Sequence, residues 1–145
     1  MGLAALGEFI WLAVSFLRPV KAVVPTGDFG SVFEAGPADG FDLNSVTAFP
    51  RGHFYLARLE DGGFLALSRR CTHLGCSVPW VAEEKRFVCP CHSSAFDIRG
   101  QVLRAPATRA LDMFPVVIEN NVVRVDTGSL IRRSGFDKSQ AVYAT

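Results

Sequence analysis

Cys71-Thr72-His73-Leu74-Gly75-Cys76 and Cys89-Pro90-Cys91-His92-Ser93-Ser94 are the two stretches on which the reading of this chain turns. They hold all four cysteines and two of the three histidines. Each follows a β-prone run, Phe64 to Ser68 and Arg86 to Val88, so each is expected at a strand end, where turns can aim backbone amides at a bound group. A Cys-x-His and a Cys-x-x-His together offer two thiolates and two imidazoles. That donor set suits tetrahedral zinc, or a [2Fe-2S] cluster with both thiolates on one iron and both imidazoles on the other. Cys76 and Cys91 weigh between the two. Each reads as lying at a corresponding place beside its own ligand loop, so a bond between them would tie the loops together over the metal. A zinc site would not need that brace. A plain disulfide scaffold leaves the two histidines unexplained.

Outward from these loops, His53 to Leu59 and Phe64 to Ser68 are separated by Glu60-Asp61-Gly62-Gly63, a hairpin signal. Val78 to Val81 and Arg86 to Val88 flank the charged turn Ala82 to Lys85 and form a second hairpin. Gln101 to Leu103 follows, then Leu111 to Ile118 and Val122 to Val125 around Glu119-Asn120-Asn121. Strands this short with turns this frequent predict an all-β domain, a small antiparallel sandwich or barrel with a cluster-binding subdomain. Eight prolines and thirteen glycines spread along the chain agree with many turns.

The 145 residues allow one compact domain plus a short appendage. Fifteen Lys and Arg against fourteen Asp and Glu leave a formal charge of +1, and no basic block is interleaved with aromatics, so nucleic acid is set aside as a partner. The expected divisions are residues 1–19 as a short hydrophobic helix, 20–42 as a Gly/Pro-rich hinge with a first strand at Ser31 to Glu34, 43–126 as the cluster domain and 127–145 as a polar tail that packs on a partner or stays mobile. The apolar run Leu3 to Leu17, stopped by Arg18-Pro19, reads as a helix about 22 Å long, short of the roughly 30 Å hydrocarbon core. A membrane anchor is preferred over a helix packed on a partner protein, and a cleaved signal peptide comes last, because no basic region precedes the run and no small-x-small site clearly follows it.

The two cysteine-histidine loops, with the stretch from about Phe54 to Val125 around them, resemble the Rieske iron-sulfur proteins of quinol-oxidising cytochrome bc-type complexes. The resemblance implies that Cys71 and Cys89 bind the buried iron, that His73 and His92 bind the outer iron, and that Cys76 and Cys91 form a disulfide. It places Arg104-Ala105-Pro106-Ala107 as the proline-bearing third loop over the cluster, with Arg where the family usually has Gly. Ser94 matches the family serine that bonds a bridging sulfide, and Ser93 stands where glycine is usual. Phe96 occupies the place of a tyrosine whose hydroxyl, in high-potential members, bonds a cysteine ligand. Leu74 matches an exposed residue that docks onto cytochrome b. Leu17-Arg18-Pro19 and the stretch after it look like the end of the family's anchor and its hinge, with the first half of the anchor missing or unneeded.

Imidazole is neutral where thiolate is anionic, so this ligand set eases reduction, with potentials of about −150 to +300 mV against about −400 mV for all-cysteine plant-type ferredoxins. Each imidazole keeps a second nitrogen that gains or loses a proton, which couples reduction to protonation at the outer iron. The resemblance assigns His92, with His73 beside it, to meeting a quinol in a cytochrome b-type subunit, the electron passing on to a cytochrome c. Without a tyrosine hydroxyl, Phe96 implies a lower potential, suited to menaquinol. The alternatives are the small subunit of a molybdenum oxidase, a soluble Rieske ferredoxin, which generally lacks the disulfide pair, and a zinc-stabilised interaction module. His53, the third histidine, is expected at the surface at a strand start, and Trp80 and Phe87 are expected to pack the base of the cluster domain. A disulfide and the family resemblance favour the outer face of a membrane, although Arg18 and Lys21 alone would place the domain in the cytoplasm.

Overall fold

The computed structural model describes residues 32–144. The expected N-terminal helix and most of the hinge lie outside the described residues. Within them the chain forms eleven strands: β1 (Val32–Pro37), β2 (Ser45–Phe49), β3 (Phe54–Arg58), β4 (Phe64–Ser68), β5 (Trp80–Val81), β6 (Arg86–Val88), β7 (Ala95–Phe96), β8 (Val102–Arg104), β9 (Met113–Phe114), β10 (Val116–Glu119) and β11 (Val122–Asp126). They build three antiparallel sheets in the orders β1-β11-β10, β2-β3-β4-β9 and β5-β6-β7-β8. The fold is therefore all-β, as the turn spacing predicts. Among the described residues no helix is long and apolar enough to cross a membrane.

The middle sheet explains the layering. In β3 and β4 nearly every side chain is buried, so these strands read as continuous apolar runs rather than alternating ones. Their two-residue period still sorts the side chains. Phe54, Leu56, Phe64 and Ala66 face Val116, Val123 and Val125 of the first sheet, while Tyr55, Ala57, Leu65 and Leu67 face Phe87, Phe96, Cys71 and Cys89 of the cluster side. One sheet thus supplies both cores, and the cluster loops rest on its second face. Each large side chain buried this way contributes roughly 1.5–3 kcal/mol. Trp80 packs on Phe87 with ring centroids 4.7 Å apart, beneath the cluster loops as expected.

Turn chemistry sets the hairpin registers. Gly62 at φ +88° lets the β3–β4 turn close, with the Leu59 amide donating to the Gly63 carbonyl at 2.7 Å. Asn120 and Asn121, both at positive φ, give the β10–β11 connection the left-handed pair that tight hairpins need. The single run expected at Leu111 to Ile118 is two strands in different sheets. Pro115 has no amide to donate, and the chain leaves β4 there to join β11. Two strands escape the sequence pattern. β2 is a partly exposed edge strand of mixed polarity, and β7 is two residues long.

The C-terminal stretch, expected to pack on a partner or stay mobile, packs on the domain itself. Phe64 and Val142 exchange backbone hydrogen bonds of 2.8 and 3.1 Å, and Met113 and Ile131 exchange bonds of 3.0 and 2.8 Å. Arg133 is buried. Its Nε donates to the Leu111 carbonyl at 2.6 Å, one Nη donates to Gln140 Oε1 at 2.8 Å, and the other donates to the Arg99 carbonyl. Burial lowers its pKa to about 10, and these acceptors offset the cost of placing a cation there.

Candidate cluster site

Loop 1 (residues 71–76) leaves β4 through Arg69 and Arg70, and loop 2 (residues 89–94) connects β6 to β7. Their backbones close in the same way. The Cys71 amide donates to the Cys76 carbonyl at 2.7 Å and the Gly75 amide to the Cys71 carbonyl at 2.9 Å. In loop 2 the Cys89 amide donates to the Ser94 carbonyl at 2.8 Å and the Ser93 amide to the Cys89 carbonyl at 2.9 Å. Gly75 and Ser93 are equivalent in these turns, and both are left-handed, at φ +80° and +62°. Ser93, which the resemblance marks as replacing a glycine, holds the conformation that its sister loop gives to glycine.

The equivalence corrects one expectation. Cys76 and Cys91 do not occupy corresponding places, since Cys76 is the fifth residue after Cys71 and Cys91 the second after Cys89. They nevertheless meet, forming a disulfide with Cα atoms 6.6 Å apart. Bonding between unequal positions offsets the two loops across the site. The Cys89 sulfur lies within 4.8 Å of both disulfide sulfurs, so this brace sits against the buried Cys89 thiol.

The four nitrogen and sulfur donors divide by burial. Cys71 and Cys89 are 4% and 2% exposed, whereas His73 is half-buried and His92 exposed. The two imidazoles stand edge to face with centroids 4.9 Å apart. Burial pushes the Cys71 thiol up, and the neighbouring Cys89 sulfur pushes the same way; hydrogen bonds from the His73 amide and the Ser94 hydroxyl oppose them by favouring thiolate. Two adjacent thiols in an apolar floor, with anion-stabilising donors aimed at one of them, suit deprotonation by a bound metal.

A third segment ties the loops together. Ser94 is fully buried, and its Oγ accepts from the Ala107 amide at 3.0 Å, just past the cis Ala105-Pro106 bond. Thr72 Oγ1 donates to the Arg109 carbonyl at 2.7 Å. Arg104 Nε donates to the Ser93 carbonyl at 2.6 Å, so the two positions that depart from glycine are bonded to each other. Arg109 is held in turn by an ion pair with Asp112, which raises its pKa. Thr72, Arg109 and Asp112 were not singled out from sequence, because nothing in their spacing marks a bond across 37 residues. His53 is exposed, left-handed and immediately before β3, as expected for a surface residue at a strand start.

A small β-domain presenting two buried thiols, two neighbouring outer imidazoles and a disulfide between the loops has the donor set of an iron-sulfur domain with mixed cysteine and histidine ligands. Residues 33–115 match the family described as Rieske [2Fe-2S] domain, and the chain belongs to that family. Such a domain carries a [2Fe-2S] cluster and serves electron transport. Over 128 residues the chain is 49% identical to the cytochrome b6-f complex iron-sulfur subunit 1 of the Cyanophora paradoxa cyanelle, covering 76% of this chain and 52% of that protein. The chain spans about half the length of the curated relatives it matches. Among solved structures it is similar to a chain of a hyperthermophilic respiratory Complex III, with TM-score 0.53, 25% identity and coverage of 84% of this chain and 96% of that one. It is also similar to the plasma membrane Rieske protein of the cyanobacterium Synechocystis PCC 6803, with TM-score 0.50, 30% identity and coverage of 64% and 97%.

Proposed function

We propose that Cys71 and Cys89 bind the inner iron and His73 and His92 the outer iron, and that the chain takes one electron at a time from a quinol, menaquinol in particular, held by a cytochrome b-type membrane subunit, and passes it to a cytochrome c. The observation that carries this reading is the split of the donors: both thiols are buried while the imidazoles stand together toward solvent. The bound cluster supplies a one-electron couple. The chain's own residues do the rest. His92, being exposed, is the group a quinol hydroxyl can reach, and the ring nitrogen it does not use as a ligand would accept the hydroxyl proton. His73, partly covered, keeps its neighbour's ring in place. Leu74, 69% exposed, and Leu103, 57% exposed, offer apolar surface for the cytochrome b-type subunit.

Within the buried floor, Ser94 donates to the Cys71 sulfur and stabilises the more negative, reduced state. Phe96 is fully buried in the same cluster of side chains as Cys71 and Cys89 and has no hydroxyl to add a second such bond. This supports a potential in the lower part of the family range and hence a low-potential quinol. The expected setting is membrane-associated, with the domain on the outer face, where a disulfide persists.

The deciding experiment is electron paramagnetic resonance of the reduced, metal-replete protein during a potentiometric titration. A signal of low average g with a midpoint between about −150 and +300 mV establishes the mixed-ligand cluster, and a midpoint in the lower part of that span supports menaquinol. Absence of the signal, or its retention when His73 and His92 are both replaced by serine, removes the ligand assignment.

A further inference from the structure

Beside loop 1, between the residues just before β3 and the segment that leaves β4, lies a cavity of about 650 Å³. Its polar rim carries Arg51, Arg69 and Arg70, its apolar wall Phe114 and Leu130, and no carboxylate is among the described residues that line it. None of the three arginines makes an ion pair among the described residues. Arg69 lies with its guanidinium over the Tyr55 ring, 5.3 Å from the centroid, and its buried Nε has no hydrogen-bond partner among the described residues. Arg70 packs over Gly75, where a Cβ would come within 3.3 Å of its Nη. Among the described residues no carboxylate balances these neighbouring guanidinium groups, and the buried Arg69 Nε is left without an acceptor. Both needs are met by one ligand type.

We infer that this cavity binds a phosphate-bearing amphiphile, its phosphate held by Arg51, Arg69 and Arg70 and its apolar part lying along Phe114 and Leu130. Guanidinium forks match phosphate oxygens in pairs, which a point charge does not. The volume is far larger than a lone oxyanion requires and falls within the span of small-molecule sites, about 300–1,000 Å³. An apolar wall beside a cationic rim is likewise more than free phosphate needs, so an anionic phospholipid headgroup region is the preferred source of the phosphate.

The test is calorimetric titration of the cluster-loaded full chain with monomeric dihexanoyl phosphatidylglycerol, dihexanoyl phosphatidylcholine and inorganic phosphate. Saturable binding of the phosphatidylglycerol, weaker binding of the zwitterionic lipid, and competition by phosphate are expected. The Arg51→Gln/Arg70→Gln variant weakens that binding at least about tenfold, the loss of one or two charge-assisted hydrogen bonds, while Lys85→Gln on the distant β5–β6 hairpin leaves it unchanged. If phosphate binds as tightly as the lipid, the oxyanion site stands and free phosphate is its ligand. Equal binding of both lipids, or a double variant that binds like the parent, overturns the inference. Retention of the parent's visible spectrum by the double variant shows that any loss is of the site and not of the fold.

Discussion

Replacing Cys76 and Cys91 together with serine removes the one covalent link between the cluster loops, and the size of the effect follows from chain statistics. The bridge closes a segment of 15 residues, and releasing a loop of that length returns about 3 kcal/mol of conformational entropy to the unfolded chain at 25 °C. That is a change of roughly 150-fold in the ratio of folded to unfolded protein, at about 1.4 kcal/mol per decade. The loops keep their own backbone closures and their ties to residues 104–109, so they still form. They are no longer held against each other over the buried thiols. Guanidinium unfolding of the cluster-loaded protein, read by far-ultraviolet circular dichroism and by visible absorbance in parallel, measures both consequences. The double variant is expected to lose about 3 kcal/mol in stability and to release its cluster to a chelator well below the denaturation midpoint. A loss of less than about 1 kcal/mol, or cluster release that still coincides with global unfolding, would refute the argument that the disulfide clamps the loops.

Other changes have equally definite outcomes. Ser94→Ala deletes the acceptor for the Ala107 amide and the donor to Cys71; it is expected to cost about 1–3 kcal/mol by leaving a buried amide unpaired and to lower the midpoint potential, both read on one protein preparation. Phe96→Tyr, at a fully buried position packed with the ligand thiols, is expected to raise the potential, and an unchanged value would show that a hydroxyl there reaches no sulfur. Arg133→Ala strips the Leu111 and Arg99 carbonyls of their donor and should lower stability by at least about 2 kcal/mol in chemical denaturation. Asp61 is held below the usual aspartate range, first by the Tyr143 hydroxyl and then by the Gly63 amide and Lys138. A carboxylate whose folded pKa is depressed adds stability that is present above its unfolded pKa, near pH 4, and is lost as pH falls through the folded value. Amide protection at Phe64 and Val142, taken relative to the intrinsic exchange rate at each pH, should therefore fall on acidification below about pH 4 in the parent, and the Tyr143→Phe variant should show a smaller change over the same range.

The ligand loops were legible because their chemistry is written in residue identity. Cysteine and histidine at fixed short spacing have few roles, and a turn of six residues keeps its donors together wherever the fold puts it. The β3 and β4 strands were legible for a similar reason, as local apolar runs punctuated by Asp61-Gly62-Gly63. What only the tertiary structure decided rests on contacts between residues distant in sequence. Pro115 looked like the middle of one strand and is the point where the chain changes sheets. The C-terminal stretch looked polar and unattached, yet Arg133 and Val142 find their acceptors and donors on β4 and on the loop before Gly100. The unequal placement of Cys76 and Cys91, the bond from Arg104 to Ser93 and the gathering of Arg51, Arg69 and Arg70 around one cavity are likewise invisible to periodicity. Local sequence dictates turns and donor types, while the pairing of polar groups across the fold is set by how the packed sheets bring them together.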